Sequence, residues 1–155
     1  MTDAFMSRAI ELSIENVRLG QGGPFGAVIV KEGAIVAEGV NRVTESNDPT
    51  AHAEMVGIRA ACRKLATFEL RDCEIYVSCE PCPMCLGAIY WARIERIYFA
   101  ALTSDASDAG FDDSLIYREL ALPYGERKIP MTPVMRKHAL EAFHLWKEKP
   151  DKIAY

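Results

Sequence analysis

The 155 residues carry 18 Lys and Arg against 22 Asp and Glu, a formal net charge of -4, which speaks against the broad basic face that a nucleic-acid partner requires. Half of the residues are hydrophobic and 26% are charged, the balance of one globular domain, expected to span 1–155 with a sizeable core. No apolar run reaches membrane-spanning length, the N-terminus lacks the pattern of a signal peptide, and the five cysteines are odd in number and clustered, unlike a secreted disulfide framework; a soluble, cytoplasmic protein with no membrane partner is expected.

Phe5, Met6, Ala9, Ile10, Ser13 and Val17 recur at helical spacing and predict an amphipathic helix over 3–18. The glycine-rich "GQGGPFG" follows, and then "AVIV" (27–30) and "AIVAEGVN" (34–41) read as a hairpin, the first strand buried on both faces. Asp48-Pro49 is expected to open a second helix that runs through "AHAEMVGIRAACRKL", with Asp as cap and Pro in the first turn. "CEIYVSC" (73–79) is a strand, "PCPMCLGAIYWARI" a short helix beginning near Pro81, and "RIYFAA" (96–101) another strand. Helices are expected over 113–122 and 136–148, with "YGERKIP" as a loop between them. Helices alternating with strands after a hairpin predict an α/β domain with helices packed on a mixed sheet.

Two fragments carry the chemistry. In Pro81-Cys82-Pro83-Met84-Cys85, two cysteines three apart share a face at a helix N-terminus, where unpaired N–H groups favour thiolate. His52 opens the other helix in the same manner. Were the two helix N-termini adjacent, His52, Cys82 and Cys85 could share one Zn²⁺, with a fourth position left open as in catalytic zinc sites. Glu54, two residues on, could stand beside that position and move protons. Cys79 has the same spacing to Cys82 but lies at a strand end and reads as buried and unligated; Cys62 and Cys73 read as small core residues. Asn41 ends the hairpin and reads equally as a turn residue or as an amide suited to a base edge. Phe25 and Trp91 read either as stacking surfaces or as core. His138 and His144 read as surface or packing residues.

His52-Ala53-Glu54 with Pro81-Cys82-x-x-Cys85 has the form H-x-E…P-C-x-x-C found in zinc-dependent nucleobase deaminases. Along most of its length the chain resembles the cytidine deaminase-like superfamily, and within it the bacterial guanine deaminases. The resemblance lies in "GGPFGAVIV", "NDPTAHAE", "SCEPCPMCLGAIYWAR" and, most discriminating, "DAGFDDSLIY". It implies a three-layer α/β/α sandwich with a central mixed five-stranded sheet, hydrolysis of the purine base guanine to xanthine and ammonia, and a homodimer with C-terminal segments exchanged between subunits. It implies Zn²⁺ on His52, Cys82 and Cys85, proton transfer by Glu54, and protonation of the departing amine by Asp113, which otherwise reads as a helix cap. It also implies a substrate role for Asn41, Phe25, Trp91, the backbone of Ala53, and Tyr155, which would close the pocket from the same or the neighbouring subunit.

Three other readings compete. A cytosine, guanosine or tRNA adenosine deaminase would share the zinc site. A zinc-stabilised interaction protein would have no use for Glu54 and would close its site with a fourth protein ligand. A thiol redox protein would use Cys82 and Cys85 without His52.

Overall fold

In the computed structural model, which describes residues 2–155, the apolar run around "AVIV" is the centre of a sheet. Gly26–Lys31 forms β1, buried at every position but the last. Ala34–Val40 forms β2, antiparallel to β1 on one side, and Cys73–Cys79 forms β3, antiparallel to β1 on the other. Arg96–Ala101 forms β4, parallel to β3. The order is β2-β1-β3-β4, a mixed sheet of four strands and not the five expected. The fifth is missing because the residues after β4 fold into helices and loops, and none of them pairs with it.

Side chains alternate across a strand, and β1 and β3 use both faces. Val28, Val30 and Tyr76 meet Ala9 and Leu12 of α1 (Thr2–Arg18) in one cluster. Ala27, Ile29, Ile75 and Val77 meet Ala53, Ile58 and Ala61 of α3 (Ala53–Leu65) and Ile89 of α4 (Pro83–Trp91) in the other. Helices therefore cover both faces, which gives the three layers expected.

The approach to α3 differs from the expectation. A short helix, α2 (Val43–Ser46), precedes it, and α3 begins at Ala53, with His52 as its N-cap. Asp48 caps no helix. Its Oδ1 accepts from the backbone N–H of Thr50 at 2.8 Å and from the Thr50 hydroxyl at 2.7 Å. A local side-chain turn has outcompeted the cap role, a habit of Asp next to Pro. The helix then sits on the sheet at very short range: a Cβ on Gly39 of β2 would lie 2.1 Å from the Ala53 carbonyl oxygen.

Beyond β4 come α5 (Thr103–Asp108), which the sequence reading missed, α6 (Ser114–Ala121), a 3-10 turn at Tyr124–Glu126, and α7 (Arg136–Glu148). The chain divides into two compact units, one ending at Asp113 and one running from Ser114 to Tyr155. No residue of the second unit is buried, and His138 and His144 lie exposed on α7. Among the described residues, no helix is long and apolar enough to cross a membrane.

Candidate metal centre and base-binding site

Two helix N-termini meet at the carboxyl end of β3. His52 caps α3 and Cys82 caps α4, both with extended backbone. Pro83 holds the first position of α4, where its missing N–H costs nothing. Cys85 lies in the first turn of α4. The side chains turn outward from the caps and converge: His52 Nδ1 is 3.5 Å from the Sγ of Cys82 and 3.5 Å from the Sγ of Cys85.

These residues fit a zinc ion. A tetrahedral centre with ordinary Zn–S and Zn–N bonds separates nitrogen from sulfur by about 3.5 Å, the spacing found here. Among the described residues, this is the one group of three or more His, Cys, Asp or Glu whose ligand atoms lie within 4.8 Å of one another. Cys79 stands apart: its Sγ is 3.5 Å from the Leu102 carbonyl, and burial pushes its thiol up to about 11. The site therefore has three protein ligands rather than four, the composition of catalytic rather than structural zinc. All five cysteines are free.

The electrostatics suit a cation. The hydrogen bond from the Cys85 thiol, with His52 adding to it against the cost of burial, brings Cys82 down to about 4. Its thiolate raises both the Cys85 thiol and the His52 imidazole in return. Glu54 is 7% exposed, and burial pushes its carboxyl above the ordinary range, with its own backbone N–H opposing. A buried carboxyl beside the cluster holds its proton more readily than an exposed one does. Asp113, partly buried, is also raised, first by desolvation and then by the Cys82 charge.

The base-binding candidates separate. Asn41 is 7% exposed, and its Oδ1 accepts from the N–H of Val43 at 3.2 Å and of Gly23 at 3.4 Å. Both lone pairs are thereby engaged, and the amide presents its NH₂ as donor rather than a donor and an acceptor together. Phe25 stands edge-to-face with Phe111, ring centroids 5.0 Å apart. Ala53 occupies the first position of α3, where backbone N–H groups have no intrahelical acceptor. Trp91 is not brought to the cluster within one chain. It ends α4, whose start carries the cysteines, and is 64% exposed with Arg93 over its ring; eight residues of helix span about 12 Å. Tyr155, in the second unit, is 72% exposed.

Sequence reasoning missed Asn16. It is 2% exposed, and its Nδ2 donates to the carbonyls of Gly23 at 2.9 Å and Asn41 at 3.0 Å. The signal was present: Asn16 lies seven residues after Ala9, on the face of α1 that Ala9, Leu12 and Ser13 also bury.

The chain belongs to the family described as the cytidine and deoxycytidylate deaminase zinc-binding region, whose model matches residues 1–101. It is 55% identical over 153 residues to the guanine deaminase of Bacillus subtilis, covering 99% of this chain and 98% of that one. An X-ray structure of guanine deaminase from Bacillus subtilis superposes with a TM-score of 0.96 over 99% of this chain and 98% of that one, at 55% identity. The tRNA-specific adenosine deaminase of Aquifex aeolicus is 54% identical over 79 residues, covering 51% of this chain and 52% of that protein.

Proposed function

We propose that this chain is a zinc-dependent hydrolase that converts guanine and water to xanthine and ammonia. A buried carboxylate, Glu54, beside three converging ligand atoms supports the hydrolytic deaminase chemistry. The choice of guanine rests on likeness along 99% of the chain to a guanine deaminase, against about half for a tRNA-specific adenosine deaminase.

His52, Cys82 and Cys85 would hold Zn²⁺. When bound, zinc supplies the activation of water at neutral pH. Glu54 takes the proton that the attacking water gives up and delivers it to the ring nitrogen beside the carbon that bears the amine. Its raised affinity for a proton suits it to both halves of that task. Asp113, also raised, protonates the departing amine, which leaves as ammonia. The Asn41 NH₂ donates to an acceptor on the base edge, the Ala53 N–H offers a second donor, and Phe25 covers the ring.

The protein works as a homodimer with C-terminal segments exchanged. α4, "PMCLGAIYW", is apolar all round, as buried helices are, yet leaves Tyr90 71% exposed and Trp91 64% exposed. A base contact by Trp91 or Tyr155 would be made across that interface. Five free thiols suit the reducing cytoplasm.

Ammonia release from guanine, adenine, cytosine and guanosine tests the reading. Turnover of guanine, lost in Glu54→Ala by about a thousandfold or more while zinc stays bound, is the expected result. Turnover of another base would replace the substrate, and an undiminished Glu54→Ala variant would remove the proton-transfer role.

A further inference from the structure

Asn16 presents an anomaly. Its Oδ1 is buried without a hydrogen-bond partner, the one such side-chain atom among the described residues. An orphaned buried acceptor is costly and calls for a reason. The reason lies at the other end of the amide. Both Nδ2 hydrogens are engaged, one by the Gly23 carbonyl and one by the Asn41 carbonyl. Turning the amide over would satisfy nothing and would set Oδ1 against two carbonyl oxygens.

The two bonds tie the loop before β1 to the end of β2. Around that tie the Asn41 N–H donates to the Phe25 carbonyl at 3.1 Å. The Asn41 Oδ1 in turn takes the N–H groups of Gly23 and Val43. Gly22 completes the junction: a Cβ there would lie 2.2 Å from the Asn41 carbonyl oxygen and 3.1 Å from the Asn16 Nδ2. The Asn41 amide is therefore held in one orientation by a network that begins on α1.

We infer that Asn16 is a positioning residue for base recognition, acting through Asn41 to keep the Asn41 NH₂ aimed as a donor. The inference rests on the reading of Asn41 as a base-binding residue in a guanine deaminase. It separates binding from chemistry, because the Asn16 amide donates to the Gly23 and Asn41 carbonyls, on the base-binding side of the site.

The test is steady-state kinetics on guanine, with bound zinc measured in parallel. Asn16→Leu keeps the shape and removes both donors. The expected result is a KM raised about tenfold, with kcat within about threefold of the wild type and zinc fully retained. In an Asn41→Ala background the same substitution is expected to change kcat/KM by less than about twofold, because the amide that it positions is gone. Equal losses in both backgrounds, an unchanged KM, or a fall in zinc content would each overturn the inference. Gly22→Ala presses on the same carbonyl without removing a buried polar group. Should Asn16→Leu not fold, Gly22→Ala decides by the same KM shift and the same background test. A wild-type protein inactive on guanine would bring down the functional reading and this inference with it, whereas normal guanine turnover with an unaffected KM in both variants would defeat the inference alone.

Discussion

Single residues divide into those that act where they stand in a short motif and those that act across the chain. His52, Glu54, Cys82 and Cys85 were legible because two contiguous fragments fix their spacing, and helix N-termini turn that spacing into convergence. The Asn16–Asn41 junction was not legible, because its bonds run between positions 16, 23 and 41 and only the folded backbone brings them together. Trp91 was hard to place for a related reason: it follows the metal motif closely in sequence yet stands a whole helix away from it within one chain. Tyr76 gives a prediction at this scale. It is 2% exposed and its phenol donates to Glu74 at 2.8 Å. Burial first, and that bond second, push its ionisation up to about 12. The folded value lies above the unfolded value of about 10, so its contribution to stability is full below that pH and drains away as pH rises toward 12. Urea unfolding at a series of alkaline pH values is expected to show the wild type losing stability relative to Tyr76→Phe across that window. Parallel curves for the two proteins would contradict it.

At the scale of elements, most strands and helices followed from apolar period and from glycine and proline punctuation. β3, β4 and α7 stand at their expected bounds. The misses were short. α2 and α5 span four and six residues, too few for any period to emerge, and the start of α3 moved because Asp48 bonded locally. Nor did the sequence tell how closely α3 would sit on β2, which sets the height of His52 and Glu54 above the sheet. A Cβ on Gly39 would meet the Ala53 carbonyl oxygen at 2.1 Å and the Gly57 nitrogen at 2.5 Å, whereas a Cβ on Gly57 would find nothing nearer than 3.7 Å. The two glycines face each other but differ in consequence. Gly39→Ala is expected to lift the start of α3, lower bound zinc and destabilise by about 1–3 kcal/mol or more. Gly57→Ala is expected to be tolerated, and to add up to about 1 kcal/mol through helix propensity. Thermal unfolding with metal analysis checks both, and equal behaviour of the pair would refute the packing argument.

For the whole molecule, the three layers could be read from the order of elements, but the strand count could not. Resemblance supplied a fifth strand that the residues after β4 do not form. Those same residues include Ser114–Tyr155, where Leu120, Phe143 and Leu145 are 58%, 63% and 62% exposed. So much uncovered apolar surface is unusual in a monomer. Sedimentation is expected to give the mass of two chains, and Tyr90→Glu to shift the protein toward one chain while leaving its zinc in place. A monomeric wild type with full activity would defeat the homodimer.

β4 carries one more consequence. It is paired on the β3 side alone, and Phe99 at its middle is 44% exposed. An open strand edge with apolar side chains is a template on which any other extended chain can add itself. Heating therefore sets refolding in competition with strand-to-strand recruitment. The durability of this protein should be a matter of rate rather than of equilibrium, with apparent melting temperatures that depend on scan speed and concentration.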